Sequence, residues 1–324
     1  MPQSDKSQEY PPGSDHASVA VIGAGSIGTA FTFVFAAAGR NVLVFEPDKE
    51  QRAKLLPRLR QITADLNEFG LAEIDAETLL DRVSVEPDLE SALAGVAYVQ
   101  ECGPEDLAEK QSLFATLDRL AGPDVILASS SSMITASEFA GGLPGSARCL
   151  VAHPGNPPYL VRVVEVVPAP FTAAEVLSRA TEFLGAADLT PVVIKKELCG
   201  FVFNRLQGAL LREAYCLVRD GVVGVEDIDR LVRDGLGLRW SVIGPFETVD
   251  LNTRGGIARH AQLLGPAYAK MGAERGQDDP WTPDLVARVE AERRSLLPLD
   301  QWSERARWRD RAIMGLLRTR RQKH

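Results

Sequence analysis

Short apolar runs alternate with longer stretches of helical spacing through the first part of this chain. Ser18-Val19-Ala20-Val21-Ile22 is one such run and Asn41-Val42-Leu43-Val44-Phe45 the next. Between them an apolar segment, Thr29 to Ala38, has the length of a helix and is closed by Gly39. Arg82-Val83-Ser84-Val85, Ala97-Tyr98-Val99-Gln100 and Val125-Ile126-Leu127-Ala128 read as further strands, separated by helix-like segments such as Glu105 to Leu120. Cys149-Leu150-Val151-Ala152 is strand-like and runs directly into His153 and a Pro/Gly/Asn-rich turn. Strands alternating with helices predict an α/β fold, a Rossmann-type doubly wound sheet, mainly parallel and covered on both faces.

The rhythm changes near Lys195. After Pro191-Val192-Val193-Ile194 the pattern is mostly helical. Phe201 to Val218 reads as a long helix, the spacing of Val225, Ile228 and Leu231 as a shorter one, and Leu285 to Leu297 as another. The expected organisation is a polar, disordered leader over 1–16, a Rossmann domain over 17–195 and an all-helical domain over 196–324.

Composition narrows the function classes. The 324 residues are 45% hydrophobic and 25% charged, as in globular proteins, and the formal charge of −8 argues against a nucleic-acid surface. The basic end, Arg318-Thr319-Arg320-Arg321-Gln322-Lys323, reads as a solvated helix terminus. No apolar stretch approaches the roughly 20 residues that span a bilayer. Cys102, Cys149, Cys199 and Cys216 lie far apart and form no close ligand pair, so no metal is expected. With no apolar targeting core near the start, unpaired thiols imply a cytoplasmic location.

Gly23-Ala24-Gly25-Ser26-Ile27-Gly28 follows the first strand and opens the first helix. Gly23 permits the turn, Gly25 lets backbone approach a pyrophosphate, and Gly28 allows close helix-to-sheet packing. The helix N-terminus at Ser26 and Ile27 favours negative charge. Glu46 ends the next strand, where a carboxylate accepts from ribose hydroxyls and repels the extra phosphate of NADP. No Arg stands immediately beside it in sequence, so NAD is the expected cofactor. FAD shares this fingerprint, but nothing else in the chain signals a flavin.

Of four histidines, His16 lies in the polar leader, His260 in a mixed segment, and His324 is the last residue. His153 alone sits where a strand meets a turn, a proton-exchanging group of the kind that hydride chemistry on an alcohol requires.

Ser129-Ser130-Ser131-Ser132, the His153 turn, Val163-Val164-Glu165-Val166-Val167-Pro168 and Gly200-Phe201-Val202-Phe203-Asn204-Arg205 resemble, in order, signatures of the 3-hydroxyacyl-CoA dehydrogenase family. Its lambda-crystallin branch, which includes L-gulonate 3-dehydrogenase, is suggested by further motifs. These are His153-Pro154-Gly155-Asn156-Pro157-Pro158-Tyr159, Gln100-Glu101-Cys102-Gly103-Pro104-Glu105-Asp106-Leu107, Gly235-Leu236-Gly237-Leu238-Arg239-Trp240 and Ile243-Gly244-Pro245-Phe246-Glu247-Thr248. The similarity runs from about Val19 to Arg311. It implies that His153 is the base, Glu165 its orienting carboxylate, and that Ser132 and Asn204 hold the reacting oxygen. Four consecutive serines leave the register of Ser132 open. Glu105 and Lys110 match positions near the nicotinamide ribose, though as charges near a helix start they also fit solvent. Asn156 shapes the loop or meets the nicotinamide. Gly155 departs from the branch, where a larger apolar residue is usual, which would loosen the loop or admit a bulkier substrate.

A guanidinium suits a free carboxylate, so Arg239 is a candidate substrate ligand, with a structural salt bridge as the alternative. The expected activity is NAD-dependent oxidation of a small 3-hydroxy acid such as L-gulonate. Oxidation of a 3-hydroxyacyl-CoA or of L-carnitine, a crystallin-like structural role, and an NAD-sensing module are the alternatives. The resemblance also implies a homodimer formed through the helical domain.

Overall fold

The computed structural model describes residues 18–254, 256–275, 284, 287, 291, 295 and 298–321. The leader and most of the segment Leu285–Leu297 lie outside these residues. The chain forms two compact units. One runs through Asn204 and resumes at Trp308; the other is Arg205–Arg307.

The first unit is built on a single eight-stranded sheet. Its strands are β1 (Ser18–Ile22), β2 (Val42–Phe45), β3 (Val83–Val85), β4 (Val96–Glu101), β5 (Ile126–Ser129), β6 (Cys149–Pro154), β7 (Val163–Pro168) and β8 (Thr190–Val193). Their order is β3-β2-β1-β4-β5-β6-β7-β8, parallel throughout except where β6 meets β7. The order reverses between β1 and β4, which opens a crevice beyond the strands' carboxyl ends. Helices α1 (Ser26–Ala37), α2 (Lys49–Glu68), α3 (Ala76–Leu80), α4 (Leu89–Ala92), α5 (Leu107–Leu120), α6 (Ala136–Ala140) and α7 (Ala174–Gly185) connect the strands. Two apolar clusters result, one around Val21, Phe35 and Tyr98, the other around Val99, Phe114 and Leu127. Alternate residues of β1 feed opposite clusters, as do neighbouring Tyr98 and Val99 of β4, the signature of a sheet buried on both faces.

Helix starts follow from local chemistry. Asp48 accepts from the Gln51 amide at the start of α2, and Asp106 from the Glu109 amide at the start of α5. α1 lacks such a cap: Gly25 occupies the position with no side chain, which leaves the first amides of the helix open.

The helix α8 (Phe203–Arg219) leads into the second unit, which continues with α9 (Val225–Arg230), a π-helical turn (Leu231–Leu236), α10 (Gly237–Trp240), α11 (Pro245–Asn252) and α12 (Gly256–Arg275). The spacing of Val225, Ile228 and Leu231 is helical as expected, but the helix widens at Leu231. The final helix, α13 (Trp302–Arg321), departs from the expected boundary, because from Trp308 onward it belongs to the first unit. Met314 is buried in the first unit's core. Arg311 meets Asp65 (2.7 Å) and Glu68 on α2 and lies over the Phe69 ring.

Candidate active site

A cleft of about 660 Å³ opens at the crevice beside β1 and β4, lined among others by Gly23, Gly25, Ser26, Glu46, Glu101 and Lys110. Its volume falls within the range of small-molecule and cofactor sites, roughly 300–1,000 Å³. The three glycines have three different reasons to be there. Gly23 has φ +101°, a left-handed conformation closed to most side chains. A Cβ on Gly28 would stand 1.9 Å from the Gly23 carbonyl oxygen, so α1 packs against the turn only because that atom is missing. A Cβ on Gly25 would meet no protein atom within 4 Å. Packing does not demand glycine at that position; a ligand lying against the backbone does.

Glu46 is buried at the end of β2, its Oε2 accepting from the Ala24 amide (2.6 Å) and its Oε1 from the Asp48 amide (2.9 Å). An ionised carboxylate has about four lone-pair sites, so two remain for a ribose diol. Arg52, six residues later and unremarked in the sequence, donates to the Glu46 carbonyl (2.5 Å). These residues fit NAD.

Beyond the cleft, the ends of β4 and β5 are joined by a ladder of hydrogen bonds that engages the serine run. The Ser129 hydroxyl donates to Glu101 Oε2 (2.5 Å), Ser130 Oγ accepts from the Gln100 amide (2.8 Å), and the Ser131 hydroxyl donates to Glu105 Oε1 (2.6 Å). Three of the four serines are thereby committed. The Ser132 hydroxyl has no partner among the described residues, and Ser132 is half-buried. Its carbonyl accepts from Asn204 Nδ2 (3.2 Å), so the structure brings these two residues together.

His153 and Glu165 stand directly opposite each other across β6 and β7. In an antiparallel pair, opposite residues project on the same face and touch. His153 Nδ1 lies 2.8 Å from Glu165 Oε2, and both side chains are buried. An ionised carboxylate only accepts, so in the neutral imidazole Nδ1 carries the proton and Nε2 keeps the lone pair. The other carboxylate oxygen accepts from the amides of Val202 (2.8 Å), just before α8, and Phe203 (2.9 Å), its first residue. Burial pushes the Glu165 carboxyl up, but the hydrogen bonds from His153, Phe203 and Val202 outweigh it and hold the group below its ordinary value. Gly200 (φ +73°) and Phe201 (φ +45°) turn the chain into this position. Phe201 is strained there, and its ring lies 5.6 Å from the imidazole.

A family model described as the 3-hydroxyacyl-CoA dehydrogenase NAD binding domain matches residues 18–198. A second, described as the C-terminal domain of the same enzyme, matches residues 200–296. The chain belongs to the 3-hydroxyacyl-CoA dehydrogenase family. It is 35% identical to a lambda-crystallin homolog of Rattus norvegicus over 308 residues, which cover 94% of this chain and 96% of the relative. It is 37% identical to an L-carnitine dehydrogenase of Streptomyces coelicolor over 265 residues, 82% of this chain and 80% of that one. The solved structure of 5-formyl-3-hydroxy-2-methylpyridine 4-carboxylic acid 5-dehydrogenase, an NAD+ dependent dismutase, superposes with a TM-score of 0.81 at 26% identity. That match covers 94% of this chain and 98% of the other. The protein is accordingly an NAD-dependent dehydrogenase of the CH–OH class.

The structure also shows what surrounds the remaining candidates in this dehydrogenase. Lys110 is not solvated: its ammonium is buried on α5 and contacts both oxygens of Glu101, each at 2.9 Å. Glu101 additionally accepts from the Gly103 amide (2.6 Å). The sequence reading missed Glu101, because a charge at a strand end ordinarily reads as solvent-facing. Cys102 faces the same cleft, and burial pushes its thiol up to about 12, so it stays protonated. Glu105 is exposed but spends its carboxylate on the serine turn. Asn156 is exposed in the loop after β6. Gly155 does not open space, contrary to expectation. A Cβ there would meet Val161 Cγ1 at 2.3 Å, so Val161 already fills the room a larger residue would take. Arg239 lies on α10 in the second unit, exposed and without an ion pair among the described residues.

Proposed function

We propose that this dehydrogenase oxidises the 3-hydroxyl of a small free 3-hydroxy acid, L-gulonate or a close analogue, to the 3-keto acid. The observation that carries the reading is the His153–Glu165 pair, whose tautomer presents a lone pair at Nε2. In this reading Nε2 removes the hydroxyl proton. Glu165 stabilises the imidazolium that forms, and the carboxylate's low proton affinity keeps it ionised while it does so. The Ser132 hydroxyl and the Asn204 amide donate to the substrate oxygen as charge develops on it. Bound NAD supplies the hydride acceptor. Gly23, Gly25, Ser26, Ile27, Gly28 and Glu46 hold its adenosine and pyrophosphate, with Lys110 and Asn156 toward the nicotinamide end.

The free acid is favoured over the thioester by two considerations. Carnitine and the pyridine carboxylic acid that name two relatives both carry free carboxylates. Arg239 is an exposed guanidinium that no acidic side chain among the described residues occupies, and we assign it to that carboxylate. An intact base pair also favours turnover over a purely structural, crystallin-like role. We further propose that a second copy of the chain covers the apolar side chains of the helical unit, forming a homodimer.

NADH formation with L-gulonate, 3-hydroxybutyrate, L-carnitine and 3-hydroxybutyryl-CoA tests the substrate. Turnover of the thioester alone refutes the proposal. With the acid that is turned over, Arg239→Leu is expected to raise its KM at least tenfold while the KM for NAD stays within about twofold, as loss of a charge-assisted fork predicts.

A further inference from the structure

The cofactor cleft holds a charge pair that the proposed proton transfer does not use. Glu101 ends β4 and Lys110 stands on α5, their side chains 0% and 2% exposed. Oε1 of Glu101 accepts from the Gly103 amide (2.6 Å) and from Lys110 Nζ (2.9 Å). Oε2 accepts from the Ser129 hydroxyl (2.5 Å) and from the same ammonium (2.9 Å). A Cβ at Gly103 would stand 2.9 Å from Oε1 and push the carboxylate off these partners. An ammonium has three donors, and two are spent on Glu101. Lys110 is the one cation among the described residues lining the cleft, and its third donor has no partner among them. Burying two charges costs more in lost hydration than their attraction ordinarily returns, so fold stability alone does not explain the pair. The strand order β2-β1-β4 gives it a place along the cofactor. Glu46 ends β2 and suits the adenosine ribose, and the glycine turn after β1 suits the pyrophosphate. A dinucleotide laid across these strand ends reaches β4, and with it Glu101 and Lys110, by its nicotinamide half.

We propose that Glu101 is a positioning residue that balances the charge of Lys110, so that the ammonium offers the nicotinamide half a hydrogen-bond donor without favouring either oxidation state of the cofactor. The nicotinamide ring is cationic in NAD+ and neutral in NADH. A lone ammonium nearby would repel the oxidised form and retain the reduced one, which opposes oxidation of the substrate and release of the product cofactor. A lone carboxylate would do the reverse. A unit charge about 10 Å from another, at an effective dielectric of about 20, shifts an equilibrium on the order of tenfold. Held at equal distance from both oxygens of Glu101, the ammonium presents no net charge at that range and still keeps its third N–H. Glu109 also lines the cleft, but it is exposed, where water screens its charge.

This inference rests on the reading that Lys110 lies toward the nicotinamide end, and the experiment separates the two. In the full-length chain, Glu101→Gln, Lys110→Met and the double variant E101Q/K110M are titrated with NAD+ and with NADH in the absence of substrate. The readout is the NAD+ dissociation constant divided by that of NADH. Glu101→Gln leaves a bare ammonium and should raise this ratio about tenfold, whereas Lys110→Met leaves a bare carboxylate and should lower it about tenfold. The double variant carries no charge there and should return to within about threefold of the parent. Lost packing alone moves both constants the same way, so shifts of opposite sign are what a purely structural pair does not produce. If Glu101→Gln folds poorly, the contrast between Lys110→Met and the double variant still decides the sign. A ratio that stays within about twofold in both single variants, or that moves in the same direction in both, overturns the proposal. If Lys110→Met leaves both dissociation constants within about twofold, the placement of Lys110 is itself refuted, and the proposal with it. Equal weakening of both forms keeps that placement and refutes only the charge balance.

Discussion

The first unit encloses most of its large apolar side chains, and the second, among the described residues, leaves most of its own exposed. Phe31, Phe35, Tyr98 and Phe114 are wholly buried between sheet and helices. Within Arg205–Arg307, Val242 is 83% exposed and Phe246 77%, and among the described residues only Cys216 and Val218 are buried hydrophobics. The first unit meets the two requirements of a doubly wound sheet, covered faces and paired strands, with its own residues. The amphipathic helices of the second need another surface to complete them. One unit is thus equipped to hold chemistry in fixed geometry, and the other, in the dimer we propose, to associate. Mutations should be able to separate the two.

The largest separation is expected at His153. His153→Ala should lower kcat by a hundredfold or more, the usual worth of a positioned base, with NADH affinity and oligomeric state unchanged by titration and sedimentation. Less than a tenfold loss would remove His153 from the chemistry. The reverse experiment lies in the second unit: Val242→Asp places a charge on an exposed apolar side chain, and sedimentation should show a shift from dimer toward monomer at micromolar concentration. NADH affinity should hold within about twofold, and an unchanged sedimentation coefficient counts against that face as the interface.

The smallest effect is on acid stability. Glu165 titrates below its ordinary value in the folded state, so the stabilisation it provides is fully present above the unfolded glutamate value of about 4.3. It is lost as pH falls from there through the lower folded value. Urea midpoints measured between neutral pH and that window should show a shallower acid decline for Glu165→Gln than for the parent chain. Parallel curves would mean that the carboxylate's pairing adds nothing to stability.

The sequence was most readable where structure is local. β1 coincides with its expected run, and β2, β4 and β5 are displaced by about a residue, because β-branched runs bounded by polar turns leave little choice. β6 extends through His153 and Pro154, two residues beyond the apolar run, since its antiparallel partner β7 supplies pairing that no local pattern reveals. The register of the serine run was illegible for the same reason: Gln100 and Glu101 on β4 and Glu105 in the loop after it hold its hydroxyls. Glu101 went unnoticed because its burial depends on Lys110 and Ser129, which the fold brings together. The arginine-rich final helix carried no sign that it would pack on α2, a contact 246 positions away in the chain.

That return of the last helix has a consequence for how the protein is made. In topological terms, Arg205–Arg307 is an insertion within the first unit. On the ribosome, most of the sheet has emerged long before Met314 and Arg311, which complete its core and its α2 face. A chain cut at the end of the first family match would leave Phe69 without the Arg311 that lies over its ring. Synthesis from the N-terminus therefore cannot finish the cofactor-binding unit first. The sheet unit is closed by residues that are translated only after the helices inserted within it.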